Sequence, residues 1–388
     1  MRPFGRTFNW CAALCAALML VTIFFPIACS KTQPEQKEIN IGAILSLTGS
    51  AATYGKWSKN GIDLAIDEIN RNGGFNGRPI EVIYEDDVSI PSSAVSAAKK
   101  LIEIDGVKAI LGPLTSSGVL AAAPVAEARR VVLLSPCASS PKITEAGDYI
   151  FRNWPSDDFE GAAMAEFLAQ QLHVTKVIVM AMNNEYGLGL QDVFIRRAKE
   201  LGLEILGVLS FEQGATDFRT QAARIGELKP DAVYAPGHAK EVAMIIRQCH
   251  EIGVRTIFTS GVAFESPDVF TIAGNAAEGS YYTAPFFDPN SPNKMVRVFE
   301  EAYKARFHAE AEVFAAHAYD AAKILVTALQ HVDGDATKLK DALYLIHDLP
   351  GVTGNTTFDK NGDVIKPVAV KVVKGGTFQL WQKTKNFP

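Results

Sequence analysis

The stretch that decides the fold is residues 39–70, which read INIGAILSLTGSAATYGKWSKNGIDLAIDEIN. Residues 39–45 are mostly apolar, as in a strand that is buried on both faces of a parallel sheet. Residues 46–53 are small or polar and indicate a loop. From Gly55 to Asn70 the apolar residues recur at intervals of three and four, which predicts a helix with one buried face. A strand, a polar loop and a helix in this order are typical of a βαβ unit.

The same order of elements recurs along the chain. The other predicted strands are residues 80–84, 109–111, 131–134, 176–181, 231–235 and 256–259. The second series begins like the first, because the strand at 176–181 is followed by a polar loop, Tyr186-Gly187 and a helix to about Leu201. We therefore predict an α/β fold with two similar doubly wound parallel-sheet lobes.

Composition limits the possible classes of protein. The chain has 388 residues and a formal net charge of −5, and 48% of its residues are hydrophobic and 21% charged. These values are ordinary for a globular protein and exclude collagen-like and wholly disordered chains. The length suggests about two domains. The weak acidity argues against a nucleic-acid partner, since such proteins usually present a basic face.

The first residues have the pattern of an export signal. Arg2 and Arg6 precede an apolar run at 11–28, and Cys29 follows two small or apolar residues. A positive end, an apolar run and a small-residue cleavage site are typical of a secretory signal peptide. The residues before Cys29 resemble a bacterial lipobox, although Pro26 stands where leucine is usual.

This pattern predicts that residues 1–28 are a lipoprotein signal peptide that is removed, that Cys29 is lipidated, and that residues 29–37 form a tether. Two alternatives remain open, a plain secreted protein and an uncleaved membrane anchor. The expected location is the periplasm or the cell surface, with the lipid holding the protein at a membrane.

Segments that resemble catalytic or metal-binding motifs depart from the spacing that those motifs require. Residues 49–56 follow a strand and open a helix, but the spacing of Gly49 and Lys56 departs from the phosphate-binding motif. Residues 359–363 resemble a calcium loop whose glycine comes too early and whose closing Glu is missing, so a hairpin turn is expected. The seven histidines show no metal-ligand spacing, and no G-x-S-x-G elbow is present. We expect no enzyme activity, no metal and no cofactor.

The loops after the predicted strands point to a binding cleft. In open parallel sheets, ligands bind outside the carboxyl ends of the strands. The loops there are rich in Ser, Thr, Gly and aromatic residues and poor in charge. Two such edges that face each other would form a cleft for a small polar molecule.

Four of the loop segments together carry a family resemblance. They are Gly42 to Tyr54 (GAILSLTGSAATY), Gly112 to Ser117 (GPLTSS), Ser135 to Pro141 (SPCASSP) and Ile272 to Gly279 (IAGNAAEG). In order and spacing they resemble the bacterial leucine/isoleucine/valine-binding protein family, the periplasmic type I solute-binding proteins of ABC importers. The resemblance covers about residues 38–385.

The resemblance implies two lobes joined by a hinge of three crossovers, near Pro155, Pro285 and Asp359. It therefore divides the chain into a first lobe, residues 38–155 plus 286–358, and a second lobe, residues 156–285 plus 359–388. A fold of this kind closes on its ligand like a Venus flytrap.

The resemblance also implies the binding residues. Ser116 with Ala138 and Ser139 would hold a ligand carboxylate, because hydroxyls and backbone N–H groups at a helix start suit an anion. Tyr54 would cover the ligand side chain, and Tyr186 would close over it from the second lobe. The full candidate set is Tyr54, Thr115, Ser116, Cys137, Ala138, Ser139, Tyr186, His238, Val262 and Glu265.

One departure from the family concerns charge. Amino-acid-binding members have an acid that pairs with the ligand ammonium, and Val262 matches that position. Because a buried ammonium without an anion is costly, either Glu265 substitutes for it or the ligand has no ammonium group.

The function implied is that of a lipid-anchored, extracytoplasmic solute-binding component of an ABC-type importer. Its expected partners are a small carboxylate ligand, first of all a branched-chain or other apolar amino acid, and a permease and ATPase complex. The alternatives left open are an ammonium-free aromatic or aliphatic carboxylate as ligand, and a ligand sensor for a partner membrane protein. A monomer is expected.

Overall fold

The structure is a computed structural model and describes residues 39–382. The predicted signal peptide, the lipidation of Cys29 and the tether at 29–37 lie outside the described residues. None of the described helices is both long enough and apolar enough to cross a membrane.

The first sheet has five parallel strands in the order β2–β1–β3–β4–β5. They are β1 (Ile39–Leu45), β2 (Ile80–Asp86), β3 (Ala109–Leu111), β4 (Val132–Ser135) and β5 (Ile150–Arg152). β1 lies inside the sheet and pairs with β2 on one side and β3 on the other, which explains its nearly continuous apolar sequence. The polar loop that follows β1 therefore leaves the sheet at its carboxyl edge.

Helices cover both faces of this sheet. Three of them follow its strands in sequence: α1 (Ala52–Arg71), α2 (Pro91–Glu103) and α3 (Ser116–Arg129).

The second sheet has seven strands in the order β12–β11–β10–β9–β8–β6–β7. They are β6 (Lys176–Met182), β7 (Glu204–Phe211), β8 (Ala232–Tyr234), β9 (Ile257–Ser260), β10 (Tyr281–Pro285), β11 (Val368–Lys374) and β12 (Thr377–Leu380). Its helices are α4 (Asp157–Gln170), α5 (Glu185–Glu200), α6 (Arg219–Leu228), α7 (Ala239–Glu251) and α8 (Asp268–Ala273). The strands from β6 to β10 pair in parallel, whereas β11 and β12 are antiparallel.

The chain passes three times between the two sheets. It leaves the first sheet after β5, returns after β10 to form α9 (Lys294–Phe307), α10 (Val313–His331) and α11 (Leu339–Tyr344), and then adds β11 and β12 to the second sheet. α10 packs closely along α1, since a Cβ at Gly61 of α1 would lie 2.1 Å from the carbonyl oxygen of Ala315. The last long helix thus completes the lobe that begins the chain.

This architecture confirms the predicted fold class. Several bounds differ slightly from the prediction: α1 begins three residues earlier, at Ala52, and β9 begins one residue later, at Ile257. The antiparallel β11–β12 hairpin at the edge of the second sheet has no counterpart among the predicted strands. The residue limits given above for the two lobes stay a prediction.

Candidate functional site

A small cavity lies where the carboxyl ends of the two sheets meet. Its volume is about 50 Å³, counted as room for the centres of water molecules. One water needs roughly 10–15 Å³ on this measure, so the cavity holds a small solute. Its lining residues are Ala51, Tyr54, Leu114, Thr115, Ser116, Ser117, Cys137, Ser139, Asn184, Tyr186, His238, Val262, Ala263 and Phe314.

Most of the candidate residues are brought together here. Those that line the cavity are Tyr54, Thr115, Ser116, Cys137, Ser139, Tyr186, His238 and Val262. Ala138 and Glu265 are not among the lining residues. The individual roles implied for the eight lining residues stay predictions.

The start of α3 forms the hydroxyl-rich end of the cavity. Thr115 is the N-cap residue, and its Oγ1 accepts the Gly118 N–H at 3.1 Å. Ser116 begins the helix, and its Oγ accepts the N–H groups of Ser139 at 3.2 Å and Ser140 at 3.1 Å. With both N–H groups donating to it, the Ser116 hydroxyl keeps its own proton for another acceptor. The helix start adds a partial positive charge at this end.

The loop after β4 is held in place by a buried arginine. Arg152 Nη1 donates to the carbonyl oxygens of Ser139 at 3.0 Å and Ser140 at 2.9 Å. The Arg152 side chain is fully buried, and its Nε is 2.6 Å from a carboxylate oxygen of Asp363. The guanidinium therefore fixes the loop by its carbonyl groups and has its own charge compensated.

Ala138 lies behind this wall instead of in it. It is almost completely buried, and its N–H donates to Ser135 Oγ at 3.1 Å. Its N–H is therefore used within the loop, and a contact between Ala138 and the ligand stays a prediction.

Aromatic side chains form another part of the cavity wall, the aromatic end. The ring of Tyr54 lies 4.9 Å from that of Phe314, measured between centroids, and Phe314 also stacks at 5.3 Å on Trp154. Phe314 was not a candidate residue. It comes from α10, in the segment that returns late to the first lobe.

Tyr54 also connects the two lobes. Its hydroxyl donates to the carbonyl oxygen of Ala263 and accepts the Ala239 N–H at 3.2 Å. Tyr54 belongs to α1, whereas Ala239 begins α7 and Ala263 follows β9. The two lobes are therefore in a closed arrangement around the cavity.

Other polar contacts cross the cleft in the same way. The Glu185 N–H donates to Ser117 Oγ at 3.2 Å, and the Glu185 carboxylate lies 2.9 Å from the ammonium of Lys142. Gln213 Nε2 donates to the carbonyl oxygen of Ser89 at 3.2 Å. These pairs lie at the rim, so they support closure without lining most of the cavity.

The second lobe supplies a neutral wall. Tyr186 Oη accepts the Ala263 N–H at 3.3 Å, and its ring stacks on that of His238 at 6.5 Å between centroids. Burial lowers the pKa of His238 to about 4, so its imidazole is uncharged at neutral pH. His238 Nδ1 is buried without a hydrogen-bond partner among the described residues, which leaves it available to a ligand.

Cys137 is an unreactive part of the wall. Its Sγ donates to the carbonyl oxygen of Leu114 at 3.2 Å, and burial raises the pKa of its thiol well above the usual value. The thiolate that a nucleophile requires is therefore disfavoured. Cys137 and Cys249 are both buried and free.

Glu265 is placed apart from the cavity. Its carboxylate pairs with the Lys371 ammonium, and both residues line a different groove, between β11–β12 and the start of α10. It follows the short turn Val262–Phe264, whose first residue lines the cavity. A contact between Glu265 and a ligand ammonium stays a prediction that requires this loop to rearrange.

Several lining residues could not have been chosen from the sequence. Asn184 lies at the N-cap of α5, where its Oδ1 accepts the Gly187 N–H at 2.8 Å. Its only signals were a capping pattern and its place in the polar loop after β6. Phe314 stands in a helix whose apolar residues are buried on nearly all sides.

Within residues 39–382, no group of three or more His, Cys, Asp or Glu side chains is arranged to hold a metal ion.

Comparison with known proteins places this chain among solute-binding proteins. A family model described as "periplasmic binding protein" matches residues 38–377. The Leu/Ile/Val-binding protein BraC3 of Rhizobium johnstonii is 28% identical over 354 residues, which cover 90% of this chain and 94% of that protein.

Two solved structures are similar over nearly their whole length. The leucine binding protein LivK of Thermotoga maritima has a TM-score of 0.84 and 30% identity, with 89% of this chain and 98% of that one covered. The branched-chain amino acid transporter substrate binding protein LivJ of Streptococcus pneumoniae, solved in complex with isoleucine, has a TM-score of 0.83 and 29% identity, with 89% and 99% covered.

Proposed function

This chain belongs to the periplasmic binding protein family, among the Leu/Ile/Val-binding proteins, and on that basis we propose that it captures one small carboxylate-bearing solute in the cavity between its lobes. As a member of the family it is an extracytoplasmic substrate-binding protein of an ABC transporter, a class of solute-binding proteins and not of enzymes. The solute we place first is a branched-chain or other apolar amino acid.

One observation carries the proposal: hydroxyls and a helix start form one part of the cavity wall, and aromatic rings form another. The Ser116 hydroxyl and the start of α3 suit a carboxylate without a cationic side chain. Tyr54 and Phe314 suit an apolar group. A small molecule with a carboxylate at one end and a hydrocarbon at the other matches both ends.

A second ligand class follows from the charge of the wall. Among the described residues, none of the side chains that line the cavity is Asp, Glu, Lys or Arg. An ammonium-free carboxylate, aliphatic or aromatic, would need no acid in the wall and is the alternative ligand.

A melting-shift panel tests the proposed function. The purified protein is heated with L-leucine, with 4-methyl-2-oxopentanoate and with benzoate. A solute at about one hundred times its Kd should add about 2.7 kcal/mol of stability. We expect at least one of the three to raise the melting temperature. No shift with these or with any other apolar amino acid would contradict the proposal.

We further propose that Cys29 carries a lipid and that the bound solute is delivered to a membrane permease. The residues around Cys29 support the first statement, and membership of the family supports the second. Mass spectrometry of the membrane-extracted protein should find an acylated Cys29 at the N-terminus. A soluble mature chain that begins at another residue would contradict the lipid anchor.

A further inference from the structure

Two acids lie directly behind the cavity wall. Asp157 and Glu160 belong to the first turn of α4, and both are fully buried. The Asp157 N–H donates to the carbonyl oxygen of Ser139 at 2.8 Å, and Ser139 lines the cavity. The pair therefore stands directly behind the part of the cavity wall that Ser139 forms.

Glu160 is next to the wall that the second lobe contributes. Three groups face the Glu160 carboxyl group and partly offset the rise in its pKa that burial causes. They are the Val262 backbone N–H, the Trp154 indole and the Thr283 hydroxyl. None of them reaches hydrogen-bond geometry, and both carboxyl oxygens of Glu160 are buried without a partner among the described residues. Both carboxyl oxygens of Asp157 are likewise buried without a hydrogen-bond partner among the described residues.

The surroundings of the pair supply little positive charge. The charged and titratable groups that face it are Arg152, Asp158, Tyr186 and Tyr234. Arg152 is the only cation among them, and it is engaged by Asp363. Burial raises the pKa of Asp157 to about 7, and burial together with Asp157 raises the pKa of Glu160 well above its usual range.

Buried acids in this state are costly unless a positive charge or a proton compensates them. Burial favours the protonated form of the pair. A cation could enter the cavity beside Tyr186 and Val262, and Tyr186 also interacts with the charge of both acids. In a buried region of low dielectric, a charge one residue layer away still interacts strongly.

We propose that Glu160, supported by Asp157, supplies the negative charge that selects a solute with an ammonium group beside its carboxylate. This deepens the proposed function and rests on it, because it decides between the two ligand classes left above. When the ammonium enters, the acid pair gives up a proton to solvent and becomes more negative. A carboxylate without an ammonium gains nothing from this charge.

The test compares ligands that differ only by the ammonium group. L-leucine is matched with 4-methylpentanoate, and L-phenylalanine with 3-phenylpropanoate, by titration calorimetry at pH 7. The variant Glu160→Gln keeps the size of the side chain and removes its charge. The control is Glu166→Gln on the same helix, because the Glu166 side chain is partly exposed and pairs with Arg197 at 2.7 Å.

For wild-type protein we expect one amino acid to bind at least about tenfold more tightly than its ammonium-free partner, as a single charge interaction allows. Glu160→Gln should reduce this preference by about tenfold, mainly through weaker amino-acid binding, whereas Glu166→Gln should keep it. Proton release is the second measure. The wild-type binding enthalpy should depend on the ionisation enthalpy of the buffer, and that dependence should diminish in Glu160→Gln.

An unchanged preference in folded Glu160→Gln would overturn the inference, as would equal wild-type binding of both partners. If the variant does not fold, the release of protons by the wild-type protein decides, and its absence overturns the inference. Tight binding of an ammonium-free carboxylate alone would remove this inference and leave the proposed function intact. Failure of every carboxylate to bind would remove the proposed function itself.

Discussion

At the scale of single residues, Tyr54 has two roles. Its ring is part of the aromatic end of the cavity, and its hydroxyl bonds to backbone groups of the second lobe. Both bonds are buried and join residues far apart in sequence. They exist only when the lobes are closed, so they contribute to binding through closure as well as through contact.

The variant Tyr54→Phe isolates the hydroxyl. It leaves the Ala239 N–H and the Ala263 carbonyl group without their buried partner, which costs about 1–3 kcal/mol. The affinity for the solute that gives the largest melting shift should fall roughly 5- to 100-fold. Calorimetry measures this, with Tyr149→Phe as the control because Tyr149 does not line the cavity. Affinity within twofold of wild type would show that these bonds do not support closure.

The limits of sequence reasoning are visible at single residues. Ser116, Tyr54 and Tyr186 could be chosen because strand-end loops have a recognisable composition and the family resemblance supplied their places. Glu160 could not be chosen, since an acid in the first turn of a helix is an ordinary sequence feature. Glu265 lines a different groove from the cavity, because proximity in sequence does not show which way a turn directs a side chain.

At the scale of elements, the apolar pattern predicted buried strands better than half-exposed strands, and it did not show which residues of a helix face the cavity. β1 lies at Ile39–Leu45 as expected, because a strand buried on both faces leaves a continuous apolar signal. The hairpin of β11 and β12 was missed, since an edge hairpin is half exposed and its pattern is weaker. α10 is buried on almost all sides, so its periodicity gave no hint that Phe314 faces the cavity.

The start of α10 carries an acid that makes stability depend on pH. Burial raises the pKa of Glu312 to about 8, from an ordinary value of 4.5. Between these two pH values the folded chain holds a proton that the unfolded chain has lost. This contribution to stability is therefore complete below pH 4.5 and is lost as the pH rises towards 8.

Glu312→Gln keeps the position neutral at every pH. The variant should be more stable than wild type by about 1–3 kcal/mol at pH 8, a range reduced for partial exposure, and the difference should shrink towards zero near pH 5. Urea unfolding at the two pH values measures it, and exposed Glu310→Gln is the control. A difference that does not change with pH would refute the role assigned to Glu312.

At the scale of the whole molecule, buried polar groups occupy the segments that run between the lobes. Arg152 at the end of β5 binds Asp363, which precedes β11. The Lys366 ammonium donates to Thr353 Oγ1 at 2.6 Å, and the carbonyl oxygen of Asn153 lies 2.6 Å from His317 Nδ1. The Arg152–Asp363 pair joins the first crossing to the third, the Asn153–His317 bond joins the first crossing to α10, and the Lys366–Thr353 bond lies within the third crossing. Together these bonds fix the hinge near the cavity.

Asp363→Ala tests this arrangement. It leaves the Arg152 guanidinium buried without its anion, which should cost about 3–5 kcal/mol of unfolding free energy. The exposed pair of Arg129 and Glu103 is the matched control, and Glu103→Ala should cost at most about 1 kcal/mol. Urea unfolding at pH 7 compares the two. Equal losses would mean that water reaches Arg152 and that its charge is not buried.

The late return of the chain to both sheets has a consequence for export. The first lobe lacks α10 until residue 331 has been made, and the second lacks β11 and β12 until residue 380. Neither core can be completed from one continuous stretch, and contacts between such distant segments form slowly. A newly made chain would therefore remain loosely structured for longer than one with contiguous domains. This delay would keep the chain unfolded for longer, as a translocation channel that admits only unfolded polypeptide requires.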